Sequence, residues 1–176
     1  MARLMVVSKD NGDTKMLLPI VRCARELCHA VIIMAEGVGV EQYAKAGIKT
    51  FFSDVPNPDP KTSFDVDALL RYLEPDAVLV GFPGPNHLSK QIGLEANRKL
   101  TPVIGVEDYW GGAKREPELR YSLVLTIDDY AADIAKEVVG PRVKVAVVGN
   151  HAIPNSEYRS PDAVLEGMEK IRSRFE

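Results

Sequence analysis

The feature that most constrains the fold is an alternation of short apolar runs with helical patterns along the chain. One of these runs, Ala77–Gly81, contains no polar side chain, which predicts a strand buried on both faces and is typical of a parallel sheet covered by helices. The predicted strands cover residues 4–7, 30–35, 49–52, 77–81, 102–106, 122–125 and 144–148.

Helical stripes separate these strands. Apolar positions at intervals of three and four residues predict helices over about 14–28, 39–46, 66–73, 88–99, 129–139 and 160–175. Pro19 is expected in the first turns of its helix, where a missing N–H costs least. Asp65 or Ser63 is expected to cap the third helix, and Asp128 or Asp129 the fifth.

Strands that alternate with helices predict an α/β fold, a three-layer, doubly wound, Rossmann-like parallel sheet of about seven strands. The expected strand order is 3-2-1-4-5-6-7. Residues 1–150 are predicted to form this domain, and residues 151–176 a linker and a C-terminal helix that packs back on it. At 176 residues, the chain suits one such domain.

Composition narrows the classes of function. A net charge of −3 argues against nucleic acid as the main partner, because phosphate binding needs a basic face. We expect no membrane span and a cytoplasmic protein, since no apolar run is long enough to cross a bilayer and the N-terminus lacks the pattern of a signal peptide. No G-x-G-x-x-G or P-loop motif and no metal-ligand spacing occurs, so neither a cofactor nor a metal is expected.

Ligands of open parallel sheets bind beyond the carboxyl ends of the strands, where the strand order reverses. In the predicted order this point lies between the loops after the first and fourth strands. The first of these loops carries Gly12, Asp13 and Thr14 at the start of a helix, whose backbone N–H groups could bind an anion. A tight turn followed by a helix cap would need the same residues, and both interpretations stay open.

The loop after the fourth predicted strand contains a histidine between candidate helix caps. His87 is the candidate catalytic residue, because a neutral imidazole can donate or accept a proton near neutral pH. Gly84 allows a close backbone approach to a ligand, and Asn86 and Ser89 are predicted to bind the ligand or to cap the next helix.

The loop after the fifth predicted strand places two carboxylates beside the chain's single tryptophan. Glu107, Tyr109 and Trp110 are candidate ligand-binding residues, and Asp108 is a second candidate catalytic residue. Aromatic rings beside carboxylates suit a sugar, because the rings cover its C–H faces and the carboxylates accept its hydroxyl protons. As neighbours on an extended segment, Glu107 and Asp108 should point in opposite directions. Trp110 could instead anchor the loop or a partner.

Three segments together resemble a known family. They are Gly12-Asp13-Thr14 through Leu18-Pro19 to His29-Ala30-Val31, then Pro75–Gly81 with Thr101–Trp110, and finally Val145–Ala152. In that order, the three segments are similar to the opening motif of one lobe in an enzyme superfamily, to the passage between its fourth and fifth strands, and to its closing "V.GNPA" segment. The chain therefore resembles the N-terminal lobe of the GT-B glycosyltransferase and UDP-N-acetylglucosamine 2-epimerase superfamily. His151 replaces the proline of the last motif.

The resemblance implies a function connected with carbohydrates or nucleotide-sugars. Members of this superfamily bind the nucleotide-sugar donor mainly in a second lobe, so the resemblance implies the acceptor-side half of a split sugar-transferring or epimerising enzyme, with a separate donor-lobe partner chain. The alternative is a non-catalytic, small-molecule-binding or regulatory domain that forms a homodimer. A third reading is a small independent enzyme that uses His87 with Glu107 or Asp108.

Overall fold

A computed structural model describes residues 1–51, 65–82 and 87–150 of the chain. Within these ranges, six parallel strands form one sheet in the order β2-β1-β3-β4-β5-β6. The strands are β1 (Arg3–Ser8), β2 (Ala30–Ala35), β3 (Ala77–Gly81), β4 (Val103–Val106), β5 (Leu123–Thr126) and β6 (Lys144–Val147). The helices are α1 (Asn11–Glu26), α2 (Val38–Lys45), α3 (Val66–Leu73), α4 (Leu88–Arg98) and α5 (Asp129–Val139), with a short 3-10 helix at Gly112–Arg115.

Helices cover both faces of the sheet. On β1, Leu4 and Val6 belong to the core shared with α1 and α2, whereas Met5 and Val7 belong to the core shared with α3, α4 and α5. Because alternate residues of a strand point to opposite faces, this division makes three layers. It also explains the unbroken apolar run of β3, whose five residues are all buried. The predicted doubly wound, Rossmann-like α/β fold is confirmed.

The prediction of a strand at 49–52 is wrong for its described part. Residues 49–51 form no strand, and residue 52 lies outside the described ranges. The N–H of Phe51 donates one hydrogen bond to the carbonyl of Ile33, with an N···O distance of 2.7 Å. This bond attaches the segment beside β2, but the described residues 49–51 form no ladder with that strand. The described strand order therefore equals the predicted order without its third strand.

Proline 19 also departs from its predicted place. Helix α1 begins at Asn11, earlier than expected, so Pro19 lies in its middle rather than in its first turns. The proline sits on a half-exposed part of the helix, where water can satisfy the carbonyl that loses its N–H partner. Asp65 caps α3 as predicted, because its side chain accepts a hydrogen bond from the N–H of Ala68 at 2.9 Å.

The strand order reverses at β1, which has β2 on one side and β3 on the other. Helix α1 covers one face beside β1, and α4, which follows β3, covers the other. In doubly wound sheets a ligand-binding crevice lies at the carboxyl ends of the strands beside such a reversal point. None of the helices in the described ranges has both the length and the apolar character needed to cross a membrane. The predicted C-terminal helix lies outside those ranges.

Candidate functional site

Both backbone polar groups of Lys9, the first residue after β1, are hydrogen-bonded. The N–H of Lys9 donates to Oδ2 of Asp13 at 3.0 Å, and the carbonyl of Lys9 accepts from the N–H of Gly39 at 2.8 Å. Gly39 is the second residue of α2. It lies so close to Lys9 that a Cβ on Gly39 would be 3.3 Å from the Lys9 carbonyl oxygen. Lys9 is thus fixed between the first turn of α1 and the start of α2.

Asp13 places a buried carboxyl beside the end of β3. Its residue is only 1% exposed, and a Cβ on Gly81 would overlap it. Burial raises the pKa of Asp13 to about 7, and the nearby charges of Asp10 and Asp108 act in the same direction. Thr14 is also buried and donates from its hydroxyl to the hydroxyl of Ser8 at 3.1 Å. Asp13 is therefore a carboxyl that gains and loses its proton near neutral pH.

Gly12 brings the loops after β1 and β4 together. A Cβ at this position would overlap the carboxylate of Asp108, so the carboxylate lies directly against the backbone of the first turn of α1. An anion at this end of α1 would have to share it with Asp108. Burial raises the pKa of Asp108, and the charge of Asp10 raises it further, whereas Arg115 lowers it.

His87 stands at the start of α4, after β3. Its Nδ1 lies 2.9 Å from the Nζ of Lys9, so side chains from two strand ends meet across the crevice. The N–H of the next residue, Leu88, donates to Oε2 of Glu36 at 3.2 Å. Glu36 follows β2 and is 7% exposed. A carboxylate that follows β2 therefore caps the start of α4, and the side chain of the N-cap residue His87 makes no capping hydrogen bond.

Glu107 and Asp108 diverge after β4, as predicted. Glu107 is fully buried and turns under the following loop, where its Oε1 accepts from the N–H of Ala113 at 2.8 Å. Its Oε2 is buried without a hydrogen-bond partner among the described residues. Burial raises the pKa of Glu107 to about 7, and the charges of Asp108 and Asp128 raise it as well. Glu107 therefore supports the loop, and Asp108 faces α1.

Tyr109 links this loop to the end of β3. Its hydroxyl donates to the carbonyl of Phe82 at 3.3 Å, and the guanidinium of Arg115 lies 4.6 Å from the centre of its ring. Burial raises the pKa of Tyr109 to about 12, so the phenol stays protonated. Tyr109 is a half-buried brace between two strand ends.

Trp110 is held in an exposed position. Its Nε1–H donates to Oδ2 of Asp128 at 2.9 Å, and its ring meets that of Tyr130 edge-on, with the ring centres 5.4 Å apart. Asp128 also caps α5, because its Oδ1 accepts from the N–H of Ala131 at 2.7 Å. The indole is 60% exposed and Tyr130 is 63% exposed. The carboxylate of Asp128 therefore fixes both the start of α5 and the indole of Trp110.

The structure brings most of the predicted residues to the same edge of the sheet. Gly12, Asp13, His87 and Asp108 converge between β1, β3 and β4 through the contacts above. Ser89 lies in the first turn of α4 but is buried. Gly84 and Asn86 lie outside the described residues.

Sequence reasoning missed two residues of this site, Lys9 and Glu36, as well as the partners of Trp110. Both missed residues are charged and directly follow an apolar strand, β1 or β2. That position is the available signal, because carboxyl ends of parallel strands share one edge of the sheet.

The electrostatics of this edge are acidic. The charges of Asp10 and Asp108 raise the pKa of Asp13, and the charge of Asp10 raises the pKa of Asp108. Lys9 and Arg115 bring positive charge to the same edge, but Lys9 is bonded to His87 and Arg115 covers Tyr109. Within the described ranges, no group of three or more potential ligands is arranged to hold a metal ion.

Neither a family model nor a curated protein matches this sequence. Solved structures do match the fold. The S. aureus MnaA–UDP complex aligns with a TM-score of 0.68 and 17% identity, over 92% of this chain and 49% of that one. A UDP-N-acetylglucosamine 2-epimerase from Rickettsia bellii aligns with a TM-score of 0.61 and 16% identity, over 97% and 48%.

A glycosyltransferase, SsfS6 from Streptomyces sp. SF2575, aligns with a TM-score of 0.51 and 14% identity, over 82% of this chain and 53% of that one. At these identities the match concerns the fold, because one fold supports many functions. The chain therefore has the fold of a single lobe of UDP-N-acetylglucosamine 2-epimerases and GT-B glycosyltransferases, and it spans about half the length of the solved structures that it matches.

Proposed function

We propose that this chain is a carbohydrate-handling lobe, the acceptor-side half of a split enzyme that transfers or epimerises a sugar. The observation that carries the proposal is the meeting of Asp13, His87 and Asp108 at the reversal point of the sheet. Ligands of such sheets bind at that point. The fold shared with a UDP-N-acetylglucosamine 2-epimerase and a glycosyltransferase supports the same class of ligand.

The chemistry of the crevice favours the sugar part of a nucleotide-sugar over its phosphates. Carboxylates accept hydrogen bonds from hydroxyl groups, whereas they repel phosphate oxygens. The carboxylate of Asp108 already faces the N-terminus of α1, where a phosphate would otherwise find backbone N–H groups. A neutral, hydroxyl-rich ring is the ligand that this edge can hold best.

Two buried carboxyl groups near this edge of the sheet change their protonation state near neutral pH. Asp13 and Glu107 both have a pKa of about 7, so each is poised between its two protonation states. We assign the catalytic roles to His87 and Asp108, which follow β3 and β4 and contact Lys9 and Gly12 beside the end of β1. Gly12, Thr14 and Tyr109 shape the crevice, and Trp110 borders it as a stacking surface.

A second lobe would supply the contacts to the nucleotide and its phosphates. This chain aligns with about half of each solved structure described above. We therefore propose a donor-lobe partner, and residues 151–176 as a linker and helix that return to the domain made by residues 1–150.

A non-catalytic binding domain that forms a homodimer is the second candidate. The observation that favours it is the exposed aromatic pair of Trp110 and Tyr130, because large apolar side chains are often covered by a partner. A dimer interface on this pair would bury the indole, so the fluorescence of the single tryptophan would shift to the blue on concentrating the protein.

Thermal unfolding with three probes tests the proposal. N-acetylglucosamine and UDP-N-acetylglucosamine should raise the Tm, whereas UDP alone should leave it unchanged. A ligand at ten times its Kd adds about 1.4 kcal/mol, which is a shift of about 3 to 6 °C for a domain of this size. Asp108→Asn should abolish the shift, and the control Glu137→Gln, at an exposed position of α5, should retain it. A shift with UDP equal to that with UDP-N-acetylglucosamine would contradict the proposal.

A further inference from the structure

We infer that Lys9 is a positioning residue that fixes the tautomer of His87, so that the imidazole carries its proton on Nε2 and is a hydrogen-bond donor at that atom. The inference deepens the proposed function and depends on it only for the identity of the ligand. The geometry of the pair stands on its own contacts.

The donor and acceptor of the Lys9–His87 bond can be assigned from chemistry. The Nζ of Lys9 lies 2.9 Å from Nδ1 of His87. A lysine ammonium has three N–H donors and no acceptor, so the ring nitrogen must accept. A neutral imidazole that accepts at Nδ1 carries its one proton on Nε2. The ring therefore has its N–H on the nitrogen that Lys9 does not contact.

The backbone on the lysine side of the pair is fixed. The N–H of Lys9 donates to Oδ2 of Asp13 at 3.0 Å, and the carbonyl of Lys9 accepts from the N–H of Gly39 at 2.8 Å. Its side chain is half-buried. The ammonium therefore reaches the imidazole from a constrained loop, which lowers the entropy cost of holding the contact.

The backbone on the histidine side is fixed as well. His87 is the N-cap residue of α4, and its carbonyl accepts from the N–H of Gln91 at 3.2 Å. The N–H of the following Leu88 donates to the buried carboxylate of Glu36. Residues that follow three strands thus position His87: Glu36 after β2 binds the backbone of Leu88, Lys9 after β1 binds the ring, and the chain itself leads from β3.

The tautomer limits what His87 can do to a ligand. A protonated Nε2 donates to an oxygen, such as a hydroxyl, a ring oxygen or a leaving-group oxygen of a sugar. It cannot accept a proton from the ligand at the same atom. In this resting state His87 is therefore a hydrogen-bond donor, because giving up the one proton of a neutral imidazole would leave an imidazolate anion, and the acceptor role falls to the carboxylate of Asp108.

Imidazole ¹⁵N NMR of the full chain at about pH 8 tests the inference directly, because protonated and unprotonated ring nitrogens have well-separated shifts. The chain provides a matched internal control. Nδ1 of His29 accepts from the N–H of Ala2 at 3.1 Å, so His29 has the same tautomer for a reason independent of Lys9. The spectrum of His87→Gln identifies the His87 signals among the three histidines.

The wild-type protein should show His87 with its proton on Nε2 and a hydrogen-bonded Nδ1. In Lys9→Met, the Nδ1 signal of His87 should move toward that of a nitrogen without a donor, while the His29 signals stay in place. Lys9→Arg, which keeps N–H donors at this position, should restore the wild-type signal. Unchanged His29 signals in Lys9→Met show that the fold is intact.

Two results would overturn the inference: a proton on Nδ1 of His87 in the wild type, or His87 signals that Lys9→Met leaves unchanged. Thermal unfolding with the sugar tests the ligand separately from the NMR experiment. His87→Gln keeps an N–H donor and should retain at least part of the Tm shift produced by N-acetylglucosamine, whereas His87→Ala should lose it. If no sugar binds the wild type, the proposed function fails and the NMR result still decides the role of Lys9.

Discussion

Replacing the buried carboxyl of Asp13 should remove much of the pH dependence of stability. Its pKa is about 7 in the folded chain against an ordinary value of 3.8, mainly because of burial. The folded state therefore holds this proton more tightly than the unfolded state. The stability from Asp13 is fully present below pH 3.8 and is lost as the pH rises through 7.

The size of the effect follows from the shift. Each pKa unit corresponds to about 1.4 kcal/mol, so about three units correspond to about 4 kcal/mol over the whole range. Between about pH 5 and pH 8, Asp13 alone should lower the free energy of unfolding by about 2.5 kcal/mol. Because Asp13 is 1% exposed, solvent screening takes little from this value.

Urea unfolding of the wild type and of Asp13→Asn at about pH 5 and pH 8 measures the effect. An asparagine keeps an oxygen that can accept the N–H of Lys9 but cannot ionise. The variant should lose about 2.5 kcal/mol of the pH dependence and should be more stable than the wild type at pH 8. The exposed carboxyl variant Glu137→Gln serves as the control and should follow the wild type. If Asp13→Asn keeps the full wild-type pH dependence, the reasoning is refuted.

Three further changes test other contacts of the site. Glu107→Gln should remove a second part of the pH dependence of the free energy of unfolding, up to about 3 kcal/mol over the full range, because burial raises the pKa of Glu107 to about 7. If the urea midpoint changes between acid and neutral pH as much in the variant as in the wild type, this prediction is contradicted. Gly12→Ala should cost about 1 to 3 kcal/mol through overlap with Asp108, and much less in an Asp108→Ala background, so additive effects in the double-mutant cycle would contradict the contact. Asp128→Ala should cost about 1 kcal/mol as a lost helix cap and free the indole of Trp110, which should lower its fluorescence anisotropy; unchanged anisotropy would show that the indole is held by something else.

The fold was largely predictable because the strand pattern is local. Runs such as Ala77–Gly81 and the helical spacing after them depend only on nearby residues, and six of the seven predicted strands are present in the described residues. The segment at 49–51 was not predictable in this way. Its apolar residues suit a strand, but its described part makes one backbone bond to Ile33 rather than a ladder, which is a long-range outcome.

The site was predictable as a place but less so as a set of contacts. The position of His87 and Asp108 after two strands was enough to bring them to one edge of the sheet. That Glu36 caps α4 across 52 residues of sequence could not be predicted from spacing, and neither could the Lys9–His87 bond across 78 residues. The opposite directions of Glu107 and Asp108 were predictable from their adjacency on an extended segment, whereas the burial of Glu107 under the loop that follows β4 was not.

Backbone ¹⁵N–¹H NMR titration with N-acetylglucosamine and, separately, with UDP is the most direct test of a sugar-binding crevice at the reversal point of the sheet. N-acetylglucosamine should shift the amide signals of Lys9 to Asp13, of His87 and Leu88, and of Asp108 to Gly112, which surround that point. UDP should shift them little. Shifts with UDP at these amides and none with the sugar would contradict the account.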